Sequence, residues 1–268
     1  MAGVPYDAEH IARFFDEYGE REWTRFDATQ MDRVGLEVHM RLLREFIRPD
    51  MRVLEAGAGP GRFTLELARI GATVVAGDIS PGQLELHAEK TGDVEDAVES
   101  RELLDIVDLG RFGDESFDAV VCFGGPVSYV LGEADRAVSE LLRVTRVGGY
   151  LLVSVMSLLG AFRAFHRYLP ELVERFGWER AVAEVVETGD LDAELNDGHV
   201  CRLYRWRDLE ALLARHPCRL VVASAANFLS VNTDETWDDR MLDIEVAACR
   251  ERGALDGGTH ILAAVERV

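Results

Sequence analysis

Three glycines at alternate positions follow a short apolar run. The run ends at Ala56, and Gly57, Gly59 and Gly61 come directly after it in the stretch VLEAGAGPGRFT. Glycine adopts positive φ and has no Cβ, so a ligand can approach such a turn closely. A helix that begins after the turn directs free N–H groups toward the same space. A glycine turn can also serve structure alone, but the spacing here is G-x-G-x-G, whereas a dinucleotide pyrophosphate suits G-x-G-x-x-G.

An acidic residue follows the second apolar run, about twenty positions after the glycines. Asp78, in VVAGDIS, is placed to accept hydrogen bonds from both hydroxyls of a ribose. Each charge-assisted bond of this kind contributes about 1.5–3 kcal/mol. Ile79 offers an apolar face to a purine. The alternative is that Asp78 only caps the helix that begins near Pro81, but Ser80 fits that role better, so we expect a ribose contact.

Two further acids compete for the base of the nucleotide. Asp105 and Asp108 lie in LLDIVDLG, where a third strand is expected to end. An acid there can accept a hydrogen bond from an adenine amino group, while the next backbone N–H donates to the ring. A solvated loop acid is an equally good interpretation of either residue taken singly.

These residues need elements to position them, and the hydrophobic pattern supplies an alternation of strands and helices. The segment 7–48 has helical periodicity. The expected strands are 52–55, 73–76, 101–107, 117–123, 150–155, 219–225 and 260–266. The expected helices between them are 62–70, 80–90, 133–144, 206–215 and 236–250. Such alternation predicts βαβ units and a parallel sheet, whose ligands bind beyond the carboxyl ends of the strands.

The alternation of strands and helices is interrupted once, by residues 157–206. This stretch is helical, aromatic and charged, with a loop around 190–198. We therefore expect four parts. Residues 1–50 form an N-terminal helical lid, 51–156 the ligand-binding core, 157–206 a helical cap insertion for the acceptor, and 207–268 the rest of the core sheet.

Five stretches occur in order: VLEAGAGPGRFTLELA, VVAGDIS, LLDIVDLGRF, SFDAVVCFGGPVSYV and LLRVTRVGGYLLVSV. Together they resemble the successive motifs of the class I S-adenosylmethionine-dependent methyltransferases, over residues 51 to about 156. The pattern is most similar to the small-molecule branch of the family, of the ubiquinone-biosynthesis type. The Asn/Asp-Pro-Pro-Tyr/Phe motif of enzymes that methylate adenine or amide nitrogen is absent, since the fourth strand ends in Cys-Phe-Gly-Gly-Pro.

The resemblance implies the fold, the cofactor and the roles of individual residues. The fold is α/β, a doubly wound Rossmann-like sheet of seven strands with the last strand antiparallel, and the cofactor is S-adenosylmethionine. Glu55 orders the glycine loop or meets the amino group of the cofactor. The other implied contacts are Gly57, Ala58 and Gly59 at the methionine part, Asp78 at the ribose, Asp105 and Ile106 at the adenine, and Cys122 and Phe123 at the methyl-donor pocket.

Methyl transfer from a sulfonium is an in-line displacement, so the protein mainly aligns the reactants and excludes water. A hydroxyl, thiol or protonated amine acceptor also needs a general base. His199, after the turn signal Asn196-Asp197-Gly198, is the best candidate for that base, although a surface histidine is the commoner outcome. Tyr18 is a second catalytic candidate, more often found in lid packing.

Composition limits the partners. The chain has 49 Asp and Glu against 29 Lys and Arg, a formal net charge of −20, which repels nucleic acids and anionic lipid. No apolar run approaches a membrane span and no signal peptide is recognisable. Four scattered cysteines without metal spacing indicate free thiols and no metal site. We expect a cytoplasmic protein with a small-molecule acceptor, no nucleic acid or membrane partner, and an oligomeric state left open, with a homodimer as one option.

Three other functions stay open at this point. A nicotinamide oxidoreductase uses the same type of sheet, but the glycine spacing and the Asp105 segment argue against it. A non-catalytic S-adenosylmethionine-binding module has the same binding residues as an enzyme. The third is an RNA or protein methyltransferase, and the negative charge argues against RNA as its substrate.

Overall fold

The strands expected from the apolar runs form one central sheet. The computed structural model describes residues 4–268, and within them the sheet has seven strands in the order β3-β2-β1-β4-β5-β9-β8. The strands in chain order are β1 (Arg52–Ala56), β2 (Thr73–Asp78), β3 (Val98–Leu103), β4 (Phe117–Cys122), β5 (Thr145–Met156), β6 (Asp190–Leu191), β7 (Cys201–Arg202), β8 (Cys218–Ala226) and β9 (His260–Arg267).

The pairing confirms the predicted fold class. Strand β1 pairs in parallel with β2 and with β4, and β4 pairs in parallel with β5. Strand β9, the last in the chain, is antiparallel to both β5 and β8. The carboxyl ends of β1, β2 and β4 therefore meet at one edge of the sheet, and the glycine turn and Asp78 lie at that edge.

Helices cover both faces of the sheet. In chain order they are α1 (Ala8–Tyr18), α2 (Arg21–Thr24), α3 (Gln30–Phe46), α4 (Arg62–Ile70), α5 (Pro81–Lys90), α6 (Pro126–Tyr129), α7 (Ala134–Val144), α8 (Leu158–Phe165), α9 (Leu169–Phe176), α10 (Val185–Thr188), α11 (Trp206–Leu213) and α12 (Asp239–Cys249). Alternate residues of a strand point to opposite faces, so β1 directs Leu54 toward the core beneath α7 and α11 and Val53 toward the core beneath α3 and α4. Central strands that are apolar on both faces fit this burial between two helical layers.

Two segments differ from the sequence prediction. The helical segment 7–48 is divided into α1, α2, a 3₁₀ turn (Arg25–Asp27) and α3. The first break is at Gly19, whose φ is 51°, and α3 begins with a capping box of Thr29 and Asp32. The third strand was placed at 101–107 but spans Val98–Leu103. It lies at the edge of the sheet and is only half-buried, so it lacks the apolar run that marks a central strand.

The inserted segment between β5 and α11 is helical, as predicted, and also contains a short hairpin. A 3₁₀ turn, His166–Tyr168, joins α8 to α9, and a π-helical stretch, Glu179–Glu184, lies between α9 and α10. Strand β6 lies at the start of the segment 190–198 that the sequence indicated as a loop, and it pairs antiparallel with β7, which follows that segment. Among residues 4–268, no helix is both long enough and apolar enough to cross a bilayer.

Candidate functional site

The glycine turn is held against the end of β2. The backbone N–H groups of Gly57 and Ala58 donate to the carbonyl oxygen of Gly77, at 2.8 and 2.9 Å. Gly57 has φ +81°, and a Cβ at this position would lie 2.3 Å from Cγ of Pro126. Gly61 has φ +94° and begins α4. The turn therefore requires glycine both for its backbone conformation and for the close approach of the β4–α6 connection.

Asp78 ties the turn to the second strand. Its Oδ2 accepts from the backbone N–H of Gly59 at 2.8 Å, and its Oδ1 accepts from that of Ser80 at 2.9 Å. Burial raises the pKa of this carboxyl to about 6, against the lowering effect of these two bonds. Ser80 caps α5 through its own hydroxyl, which accepts from Gln83 N. A carboxylate offers about four acceptor sites, so Asp78 retains capacity for a ligand after binding the backbone.

These groups border one cleft of about 790 Å³, its open mouth included. This volume is within the usual range for a small-molecule site. The structure brings together eight of the residues that the sequence singled out. They are Gly57, Ala58, Gly59, Asp78, Ile79, Asp105, Ile106 and Phe123. Glu55 and Cys122 are fully buried behind this lining, and burial raises the pKa of the Cys122 thiol to about 12.

The structure distinguishes the two acids that competed for the base of the nucleotide. Asp105 lines the cleft, whereas Asp108 is exposed and accepts from the backbone N–H of Gly110. Asp105 accepts from the hydroxyl of Tyr6 at 2.7 Å and from the backbone N–H of Val107 at 3.0 Å. No sequence pattern had singled out Tyr6, because its contact crosses 99 positions of the chain.

Glu55 is buried beside the turn, with 1% of its surface exposed. Thr64 Oγ1 donates to its Oε2. Arg101 donates to Nδ1 of His87 at 3.0 Å, so Nε2 of that ring carries the proton and donates to Thr64 at 2.8 Å. Burial raises the pKa of Glu55 to about 8. Its Oε1 has no hydrogen-bond partner in the described part of the chain, which leaves an acceptor for a ligand with an ammonium group.

Helix α1 lies across the mouth of the cleft and contributes Ile11 and Phe15 to its lining. Asp16 Oδ1 accepts from the hydroxyl of Ser80 at 2.5 Å and from the backbone N–H of Gly82 at 2.8 Å. Gln83 Nε2 donates to the carbonyl oxygen of Phe15 at 2.8 Å. Helix α1 is thus attached to α5, directly after Asp78.

The two catalytic candidates from the sequence lie outside this lining. His199 and Tyr18 border a neighbouring groove between α1 and the loop 196–199. The His199 ring stacks on Phe14 with centroids 4.7 Å apart and also contacts Tyr129 at 4.8 Å. Burial lowers the pKa of His199 to about 4, and its Nε2 has no partner among residues 4–268. The imidazole is therefore neutral at pH 7.

Comparison with known proteins identifies the core. Residues 54–153 match the family model described as a methyltransferase domain. This part of the chain is similar to a methyltransferase domain. The comparisons support S-adenosylmethionine as the cofactor. The residues present fit it, because Oε1 of Glu55 has no partner within residues 4–268 and Asp78 has spare acceptor sites.

The curated relatives match only part of this chain. The demethylmenaquinone methyltransferase of Thermobifida fusca is 38% identical over 105 residues, which are 39% of this chain and 43% of that protein. The chain spans about half the length of the curated relatives it matches, from 41% to 66%.

Two solved structures share the fold over nearly the whole chain. One is a [4+2]-cyclase, with a TM-score of 0.64, 14% identity and coverage of 99% of both chains. The other is a 1,6-didemethyltoxoflavin-N1-methyltransferase of Burkholderia thailandensis, with a TM-score of 0.58 and 15% identity. The match covers 100% of this chain and 94% of that chain.

Among residues 4–268, no group of three or more His, Cys, Asp or Glu side chains is arranged to hold a metal ion.

Proposed function

We propose that this protein is an S-adenosylmethionine-dependent methyltransferase that acts on a small-molecule acceptor. The observation that carries the proposal is the convergence of Gly57, Asp78 and Asp105 on one cleft beside the buried Glu55. When bound, S-adenosylmethionine supplies a methyl group activated by a sulfonium. Asp78 would hold the ribose, Asp105 with Ile106 the adenine, and Glu55 the ammonium group.

The residues of this chain position the reactants and exclude water. Residues 1–50 are the proposed lid, of which 1–3 lie outside the described residues, and the proposal is supported by Ile11 and Phe15 of α1, which border the cleft. Residues 157–206 act as the cap of the acceptor side, and His199 and Tyr18 remain the predicted candidates for a base. The negative net charge supports a small-molecule acceptor rather than a nucleic acid. We propose a cytoplasmic location and leave the oligomeric state open, with a homodimer as one option.

Calorimetry with S-adenosylhomocysteine tests the proposal. The wild type should bind with micromolar affinity, and Asp78→Ala should weaken binding at least tenfold, about 1.4 kcal/mol. Glu99→Gln, an exposed acid paired with Arg52 on the opposite edge of the sheet, is the matched control and should bind as the wild type does. Wild-type protein that binds no S-adenosylhomocysteine would refute the cofactor and with it the function.

A second function has one observation in its favour. The similarity of fold to a [4+2]-cyclase means that the fold alone does not fix a methyl-transfer reaction. A protein that uses the cofactor only as a bound structural group would bind S-adenosylhomocysteine equally well. Conversion of S-adenosylmethionine to S-adenosylhomocysteine in the presence of an acceptor separates the two functions, because only a methyltransferase consumes the cofactor.

A further inference from the structure

Two arginines, Arg25 and Arg62, line the cleft, and Arg25 stands at the end where β4 stops. Arg25 lines the cleft together with Phe123 and Gly124. A Cβ on Gly124 would lie 3.4 Å from Nη2 of Arg25, so the guanidinium rests against the backbone that follows the fourth strand. This end of the cleft is where the sequence motifs place the methyl-donor pocket, at Cys122 and Phe123.

Only one of the three guanidinium nitrogens of Arg25 is hydrogen-bonded within residues 4–268. Its Nε donates to Oε1 of Glu22 at 2.7 Å. Its two terminal nitrogens, Nη1 and Nη2, have no hydrogen-bond partner within residues 4–268, and the side chain is 30% exposed. The Glu22 carboxylate raises the pKa of Arg25 against the effect of burial, so the group keeps its charge. A planar guanidinium with both terminal nitrogens free is suited to bidentate pairing with a carboxylate or similar anion.

The surroundings of Arg25 are aromatic and supply no second anion. The guanidinium carbon lies 3.9 Å from the centre of the Phe26 ring. Behind Phe123 lie the imidazoles of His39 and His260, with centroids 5.7 Å apart. His39 Nδ1 contacts the carbonyl oxygen of Gly35 at 2.8 Å and must donate to it, so Nε2 is unprotonated, buried and without a partner in the described chain. The pKa values of His39 and His260 are lowered to about 4 and 3, mainly by burial.

The end of the cleft at Arg25 therefore has one cation and one carboxylate, with neutral rings around them. Two neutral imidazoles and several aromatic rings surround a cation whose one carboxylate partner, Glu22, occupies its Nε edge. The Arg25 side chain is 30% exposed, so water partly screens an ion pair there, but the pair is still stronger than at a fully exposed surface. In a chain of net charge −20, a cation with its terminal nitrogens turned to the interior of a cleft indicates a ligand with a negative oxygen.

We propose that Arg25 is the anion-binding residue of the acceptor subsite. The acceptor is then an acidic small molecule with an apolar body. Its carboxylate, phenolate or enolate oxygen pairs with Nη1 and Nη2 of Arg25, and its body packs against Phe26 and Phe123. This inference rests on the proposed methyltransferase function and narrows the class of substrate. The main competing role for Arg25 is to bind the carboxylate of the cofactor's own methionine part.

Two cofactor probes separate these roles before any acceptor is known. S-adenosylhomocysteine has the amino-acid carboxylate, and 5′-methylthioadenosine lacks it. Binding of both is measured by calorimetry to the wild type, to Arg25→Met, to Arg25→Lys and to Arg207→Met. Arg207 is a matched control, because its side chain is 73% exposed and pairs only with the neighbouring Asp208. For each probe, we expect the dissociation constants of the four proteins to agree within about threefold.

The acceptor class is then tested on protein saturated with S-adenosylhomocysteine. The panel consists of benzoate, 2-naphthoate and 9-anthracenecarboxylate with their carboxamides, and 4-nitrophenol with 4-nitroanisole. We expect at least one acid to bind the wild type at least tenfold more tightly than its neutral partner, about 1.4 kcal/mol. That preference should be lost in Arg25→Met, partly kept in Arg25→Lys and unchanged in Arg207→Met.

Each contrary result has a distinct meaning. If Arg25→Met weakens S-adenosylhomocysteine tenfold but leaves 5′-methylthioadenosine unchanged, Arg25 binds the cofactor and the inference is wrong. If no acid of the panel binds more tightly than its neutral partner, the acidic class of acceptor is wrong. If the wild type binds neither cofactor probe, the proposed function itself fails. Retained binding of 5′-methylthioadenosine by Arg25→Met also shows that the variant is folded.

Discussion

Replacing Glu55 by Gln tests whether burial keeps this carboxyl neutral. The unfolded chain ionises Glu55 near its ordinary pKa of 4.5, whereas the folded protein retains the proton until about pH 8. Between these values the folded state binds more protons, so its stability falls as pH rises. A difference of about 3.5 in pKa, at 1.36 kcal/mol per unit, corresponds to about 5 kcal/mol lost from the wild type by pH 8.

The variant has no such titration. Its amide oxygen can still accept from Thr64, and the amide has nearly the shape of the carboxyl. The stability of Glu55→Gln relative to the wild type should therefore rise by about 1.4 kcal/mol per pH unit across this range. Urea unfolding of both proteins at several values between pH 5 and 8 measures this slope.

A control variant and a ligand experiment sharpen the test. Arg52 holds the pKa of Glu99 below its ordinary range, so Glu99→Gln should show no slope above pH 5. An ammonium group placed against Glu55 would favour the carboxylate, so S-adenosylhomocysteine should release close to one proton on binding at pH 7. Calorimetry in phosphate and in Tris measures that release, which Glu55→Gln should abolish. A flat stability difference between pH 5 and 8 would refute the reasoning, because it would mean that the buried carboxyl ionises normally.

Three further substitutions address the turn, the ribose contact and the stacked histidine. Asp78→Asn should weaken S-adenosylhomocysteine binding at least tenfold, about 1.4 kcal/mol. It should also reduce stability, because an amide cannot accept from both backbone N–H groups that the carboxylate binds. An unchanged affinity in calorimetry would contradict the proposed ribose contact. Gly57→Ala should cost at least about 2 kcal/mol of stability in urea unfolding, because it combines positive φ with a clash against Pro126. Gly132→Ala, with nothing within 4 Å of an added Cβ, is its matched control and should stay within about 0.5 kcal/mol of the wild type. His199→Phe preserves a ring between its two aromatic neighbours, so the melting temperature should shift by less than about 2 °C; a larger fall in thermal unfolding would show that the imidazole makes a polar contact that the stack does not reveal.

Local pattern was enough to predict most of the core. The strands around the glycine turn are buried on both faces, so β1, β2 and β4 appear in the sequence as short apolar runs at the expected positions. Asp78 could be assigned because a residue at the end of a parallel strand has a fixed relation to the turn of its neighbour. The edge strand β3 was displaced by three residues, because a half-buried strand carries charged residues and shows no such run.

Contacts between distant parts of the chain could not be predicted in this way. Tyr6 meets Asp105 across 99 positions, and no periodicity relates the two. His199 was correctly expected after a turn, but its stacking on Phe14 depends on how the loop docks on α1. The free terminal nitrogens of Arg25 follow from the pairing of its Nε with Glu22, which is a property of side-chain conformation and not of residue type.

The attachment of α1 to later parts of the chain affects how the protein folds during its synthesis on the ribosome. The hydrogen bonds that α1 makes to Ser80, Gly82 and Gln83, and the bond that the preceding Tyr6 makes to Asp105, span 64 to 99 positions. At about 5–20 residues per second, the partners of α1 emerge roughly 3 to 20 s after it. An isolated helix of 11 residues is marginal in water, so this segment repeatedly forms and melts during that interval. The part of the site that is synthesised first is thus among the last to be secured, and until then Ile11 and Phe15 are open to nascent-chain chaperones.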